Sequence, residues 1–195
     1  MSDRKYSVAT VGQKVDTFLR SVLAQARFRV EFEISDACPG PDDVETPDLL
    51  VRFTGQDLDL LLGNRAEVLL ALEQLTMEML RLPSEDHSRI CFDANDYRLL
   101  RIEELRMSAA AAADKVKRTG VPFRFNPMNS RERRVIHLAL RNETEVRSES
   151  AGSGPGRQVV VYPAGMASLP DVPYTPPAPQ RGGRSGPPRS RSARR

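Results

Sequence analysis

Between residues 8 and 35 the spacing of apolar side chains changes once, from steps of three and four to steps of two. Val8, Val11, Val15, Phe18, Leu19, Val22, Leu23 and Ala26 share one face of a helix. Phe28, Val30, Phe32 and Ile34 then alternate with Arg29, Glu31, Glu33 and Ser35, the pattern of a strand with one buried face. Residues 36–48, with Pro39, Gly40, Pro41, Asp42 and Asp43, read as a polar loop, and 49–54 as a second strand. A short turn and helix over 55–62 meets the loop Gly63-Asn64-Arg65-Ala66. Val68, Leu69, Leu72, Leu75, Met79 and Leu82 then mark a longer helix that ends at Pro83. Residues 90–93 form a third strand, with Cys91 as a small buried side chain.

A second unit begins at Asn95-Asp96, a pair suited to an N-cap. Its first helix runs through Leu99, Leu100, Ile102, Leu105, the alanines 109–113 and Val116, and stops at Gly120 before Pro122. A strand is expected over 122–125. Asn129 followed three residues later by Glu132 is a capping-box pattern and opens a helix over 130–141. Two strand-like runs, 144–150 and 158–162, flank the turn Ala151-Gly152-Ser153-Gly154-Pro155-Gly156.

Charge is unevenly spread. Residues 163–195 hold six arginines, no lysine and one acid, so the chain's pI of about 9.1 belongs to this tail. The remainder carries 23 basic and 25 acidic residues. The tail also holds eight of the fifteen prolines and few large apolar residues, which predicts disorder. Two cysteines, Cys38 and Cys91, and two histidines, His87 and His137, cannot make a zinc site of the usual spacing. No metal and no cofactor is expected. No apolar run is long enough to span a membrane and no signal-peptide core is present, so a reducing cytoplasm is the expected location.

Two constellations point to chemistry. The first is Gly63, Asn64, Arg65 and Ala66 between two helices. Small residues there let a phosphodiester backbone approach the main chain, and the amides opening the next helix face the phosphates. Arg65 suits a phosphate and Asn64 can donate a hydrogen bond. The same loop could instead only turn the chain, leaving the sheet or helices as a docking surface.

The second constellation is Arg133 and His137. Four residues apart on a helix, their Cβ atoms lie about 6 Å apart on one face. Arg131, Arg134 and Arg141 surround them, with Arg124 shortly before. Positive charge in the first turns of a helix opposes the helix dipole, and a bound anion reverses that penalty. A solvated basic face with His137 packed against its own helix is the other reading of this spacing.

Over residues 8–94 the order of helix, strand, strand, helix, Gly loop, helix and strand resembles a type II KH domain. The likeness is greatest from Leu60-Leu61-Leu62-Gly63-Asn64-Arg65-Ala66-Glu67 into the helix beyond. Ala66 replaces that family's second loop glycine and Asn64 its usual first cation. Pro127-Met128-Asn129-Ser130-Arg131-Glu132-Arg133-Arg134-Val135-Ile136-His137-Leu138-Ala139-Leu140 strongly resembles the R-three-H signature. A KH domain followed by that signature resembles the Jag family, also called KhpB. Tyr97-Arg98, Arg101, Glu103-Glu104-Leu105, Lys117-Arg118-Thr119-Gly120 and the strand over 157–163 extend the likeness, which covers about 8–163.

The resemblance implies an α+β protein: a KH-like domain over 8–94, a small α/β R-three-H domain over 95–162, and a disordered tail over 163–195. It implies a bacterial, cytoplasmic protein that binds single-stranded RNA, with single-stranded DNA as an alternative ligand. It further implies partnership with a small KH-domain protein and a role in cell elongation or division. The expected nucleic-acid contacts are Arg133, His137, Arg131, Arg134, Gly63, Asn64, Arg65 and Ala66. No catalytic residue is expected, because no nucleophile–base pair, phosphate-binding Walker loop or metal cluster accompanies His137. The competing expectation is an adaptor whose KH-like domain docks a protein.

Overall fold

The computed structural model describes residues 5–37 and 47–170. The expectations for Cys38, for most of the loop over 36–48, and for the tail from 171 onward lie outside the described residues. What is described is an α+β arrangement with two separate three-stranded sheets.

In the first half, a π-helical turn at Val8–Gly12 leads into α1 (Gln13–Ala26). α1 buries Val15, Leu19 and Leu23, the stripe that the three-and-four spacing marks. β1 (Val30–Asp36) pairs antiparallel with β2 (Leu49–Gly55), placing Phe32 opposite Phe53 and Ile34 opposite Val51. Gly55 ends β2 at φ +126°, where a Cβ would lie 2.6 Å from the Arg29 carbonyl oxygen, so only glycine fits. β3 (Ile90–Ala94) lies parallel to β2. A parallel pair needs a long crossover, and α2 (Leu58–Met79) supplies it.

α2 is two helical arms rather than one. Gly63 is extended (φ −55°, ψ 152°), and Asn64, Arg65 and Ala66 are all left-handed. The arms therefore change direction at the loop that the sequence marks. Both arms bury Leu58, Leu61, Leu69 and Leu72 against Val51, Phe53, Ile90 and Phe92 in a single core.

In the second half, α3 (Tyr97–Thr119) ends at Gly120, left-handed at φ 67°, as the Gly-Pro stop predicts. β4 (Phe123–Arg124) and β5 (Val146–Ala151) flank β6 (Gln158–Pro163) in an antiparallel sheet ordered β4-β6-β5. α4 (Ser130–Ala139) opens with the expected capping box: the Asn129 side chain accepts from Glu132 N at 2.9 Å, and Glu132 Oε2 accepts from Asn129 N at 3.1 Å. α3 and α4 cover one face of the sheet, burying Leu105, Ala109, Val116, Val135 and Ile136 against Val146, Val159 and Val161. The short alanines of α3 let the helix sit close to the strands.

Ordered contacts continue past β6. The Met166 carbonyl accepts from Arg147 Nη2 at 2.5 Å, and Leu169 N donates to the Tyr162 hydroxyl at 3.3 Å. Residues 163–170, which composition groups with the tail, thus lie against the sheet. Among the described residues, no helix is long and apolar enough to cross a membrane.

Candidate nucleic-acid interface

α4 is amphipathic, and its polar side is itself divided. Val135 and Ile136 point into the core. Arg133 and His137 occupy a flank that rests on β5. The fit follows from the repeats: four residues of helix advance about 6 Å and two residues of strand about 6.6 Å. A pair spaced by four on α4 therefore meets a pair spaced by two on β5. That strand pair is Ser148 and Ser150. Arg133 Nη1 donates to Ser150 Oγ at 3.1 Å, His137 Nε2 lies 3.0 Å from the same oxygen, and His137 Nδ1 lies 2.8 Å from Ser148 Oγ.

The Ser150 hydroxyl thus sits between a guanidinium and an imidazole. A hydroxyl that accepts from Arg133 retains one proton to give, and a neutral His137 can take it at Nε2. Burial, and then the charge of Arg133, hold the His137 pKa below its ordinary 6.5, which favours the neutral ring. Burial, and then the charge of Arg157, likewise push Arg133 down. Among the described residues, no carboxylate lies within ion-pair distance of Arg133, Arg134 or Arg157. Arg133 Nε is also buried without a hydrogen-bond partner. Arg133 is thus a half-buried cation beside a second cation, with one buried, unsatisfied donor and, among the described residues, no carboxylate to pair with.

Arg131, two residues away, is placed quite differently. Its guanidinium enters the body of the molecule, with Nη1 2.9 Å from Glu73 Oε1 and Nη2 donating to the carbonyls of Ile90, at 2.9 Å, and His87. Glu73 is buried on α2, and the same Oε1 accepts from Phe92 N at 3.0 Å and Arg98 Nη2 at 3.1 Å. One carboxylate oxygen therefore joins α2, β3, α3 and α4. Arg131, expected among the nucleic-acid contacts, thus has both terminal nitrogens engaged inside the molecule. Arg134 is exposed and faces solvent.

Of the Gly loop, Gly63, Asn64 and Arg65 are exposed and Ala66 is fully buried. Ala66 points its methyl group into the first core, so its Cβ does not obstruct an approaching backbone, and the residue offers no side chain to a ligand. A Cβ built on Gly63 would meet nothing within 4 Å, so the main chain there is open to solvent. Three successive left-handed non-glycine residues cost roughly 1–2 kcal/mol each. The bends are held by an Asn64 Nδ2–Glu67 hydrogen bond and by Tyr97, whose hydroxyl donates to the Arg65 carbonyl at 2.9 Å. Tyr97 opens α3, so the second half of the molecule helps to hold the loop.

The site residues that the sequence reading lacks are Ser148, Ser150, Arg157 and Glu73. Serines at alternate strand positions carry no signal until a helix is known to lie above them. Glu73 does carry one: it occupies the apolar stripe of α2 between Leu69, Leu72, Thr76 and Met77, where an acid needs a buried partner.

Known proteins resemble this chain over most of its length. The family model of the R-three-H domain matches residues 103–163. The chain is 38% identical over 111 residues to "RNA-binding protein KhpB" of Clostridium symbiosum, covering 57% of this chain and 50% of that protein. It is 31% identical over 164 residues to "RNA-binding protein KhpB" of Bacillus subtilis (strain 168), covering 81% of this chain and 76% of that protein. With the protein of the same name from Lactiplantibacillus plantarum it shares 34% over 111 residues, which is 57% of this chain and 34% of that protein. The match thus spans half the length of the first of these relatives.

Proposed function

The chain belongs to the KhpB (Jag) family, and on that premise we propose that it is a single-stranded RNA-binding protein whose principal contact is the α4–β5 flank. The observation that carries this is the set Arg133, His137, Ser148 and Ser150, three kinds of polar group on one surface, with no carboxylate within ion-pair distance of Arg133 among the described residues. Arg133 contacts a phosphate. His137, whose two ring nitrogens are held by the serines, offers the ring to stack on an unpaired base. Arg134 and Arg157 add attraction that does not depend on sequence and weakens with salt. Single-stranded DNA would engage the same donors, and the 2′-hydroxyl decides between the two.

The exposed Gly63, Asn64 and Arg65 form a second contact in a KH-like first domain. They receive phosphates on an open main chain, with Arg65 as the charged partner. Exposed Leu60 and Leu75 on α2 favour a further role for that domain as a docking surface, of which a small KH-domain protein is the proposed occupant. A cytoplasmic location and RNA-level control of cell elongation or division complete the reading. It is a binding role, not catalysis.

The test is a titration of labelled oligouridylate at several salt concentrations with the wild type and the Arg133→Ala/His137→Ala protein. The expected result is at least a tenfold loss of affinity and a shallower dependence on salt in the double variant. Unchanged affinity and slope would remove α4 from RNA binding. Deletion of 171–195 in parallel identifies binding that resides in the Arg-rich tail alone.

A further inference from the structure

A groove of about 410 Å³ lies at the β4 edge of the second sheet, the edge away from β5, bordered by α3, by β4 and by the segment that leads from β4 to α4. Its lining includes four cations, Arg65, Arg101, Lys115 and Arg124, and one acid, Glu104. Arg101 is paired, with Glu104 at 2.8 Å and Glu132 at 2.7 Å. Among the described residues, Arg65, Lys115 and Arg124 have no carboxylate within ion-pair distance. The wall also carries two half-buried aromatic rings, Phe123 and Phe125. Their centroids are 5.1 Å apart in an edge-to-face arrangement, with Lys115 Nζ 5.2 Å above the Phe123 ring.

The groove includes part of one candidate contact and is linked to the other through the main chain. Arg65 belongs to the Gly loop. Met128 lines the other end, and its amide donates to the Arg157 carbonyl at 3.1 Å, beside the α4–β5 flank. Unpaired cations next to aromatic faces are the combination that holds a single strand: phosphates meet the charges and bases stack on the rings. An acidic peptide would use the charges but gain nothing from the rings.

Given RNA binding at Arg133 and His137, we propose that this groove is a further nucleotide subsite, joining the Gly loop to the α4–β5 flank so that one strand runs across both halves. A base lies against Phe123 and Phe125, and its flanking phosphates meet Arg124 and Lys115. A longer strand then gains affinity over a short one by filling the groove as well as the flank.

The experiment compares oligouridylates of about 4 and about 12 nucleotides. It uses the full chain as wild type, Lys115→Gln/Arg124→Gln, Phe123→Leu, and Arg133→Ala. Each protein's thermal melting is recorded to establish that it is folded. Wild type is expected to bind the longer strand at least tenfold more tightly. Lys115→Gln/Arg124→Gln and Phe123→Leu are each expected to lose most of that gain while changing the short strand's affinity less than about twofold. Photocrosslinking of 5-iodouridine in the longer strand is expected on the peptide containing Phe123 and Phe125. If both groove variants bind the longer strand as wild type does while Arg133→Ala is weakened, the groove plays no part and the α4–β5 reading stands. If Arg133→Ala is also unaffected, that reading fails too. Equal, groove-dependent binding of polyglutamate would make the groove an acidic-peptide site and overturn the nucleotide assignment.

Discussion

Arg131 and Arg133 stand two residues apart on one short helix, and they live in opposite electrostatic worlds. Arg131 is turned inward onto Glu73 and two main-chain carbonyls, with both terminal nitrogens in use between the halves of the molecule. Arg133 lies on β5 against a serine, a histidine and the field of another arginine, with one nitrogen buried and unpartnered. In sequence the two are members of a single basic run. A cluster of like charges on a helix is therefore not one site. The carboxylate on the next element decides which cations hold the fold together and which remain for a ligand.

The greatest loss is expected at the inward side. Glu73→Ala would leave Arg131, only 17% exposed at its side chain, without its acid. Removing one partner of a buried ion pair costs about 3–5 kcal/mol. Denaturant unfolding should show that loss, while RNA affinity of the folded fraction stays within about twofold. At the outward side, Arg133→Ala should weaken oligouridylate binding by about 1.5–3 kcal/mol, the range for hydrogen bonds to a charged group. Its salt slope should fall by about one, and its unfolding midpoint should change little. Ser150→Ala tests the support beneath that side. It removes the oxygen shared by Arg133 and His137, so affinity should fall by about 1 kcal/mol in the same titration.

The smallest expected effect is on pH. The folded pKa of His137 lies below 6.5, so the unfolded chain takes up its proton first. This group's contribution to stability is therefore complete above about pH 6.5 and is lost as the pH falls toward the folded value. A phosphate beside the ring acts in the other direction, raising the pKa in the complex. RNA affinity should rise about two- to threefold as the pH falls from about 8 to about 6, and His137→Asn should remove the rise. Proton NMR of the imidazole with and without oligouridylate measures both shifts.

Much of this fold was legible in local pattern, because local pattern is what sets it. The change of period between 8 and 35, the capping box of Asn129 and Glu132, and the stop at Gly120 each depend on residues within a few positions of one another. The site was legible as a spacing: Arg133 and His137 share a flank because four residues make about one turn. What was not legible depends on a second element. Nothing local separates Arg131 from Arg133. Ser148 and Ser150 become part of the site only once α4 lies over β5. Ala66 reads as a defect in a glycine loop, yet it is the one residue of that loop packed in the core. Residues 163–170 have the composition of a tail, but the Arg147 and Tyr162 side chains hold them to the sheet.

A matched pair of charge deletions separates the two sides of α4: Arg131→Gln and Arg133→Gln, each titrated with oligouridylate across salt concentrations where both proteins are folded. The two variants lose the same charge from the same helix. Arg133→Gln should bind about tenfold more weakly with a reduced salt slope, while Arg131→Gln should unfold more easily and bind as wild type does. Equal losses of affinity in the two variants, or a loss confined to Arg131→Gln, would contradict the division of α4 into a structural side and a ligand side.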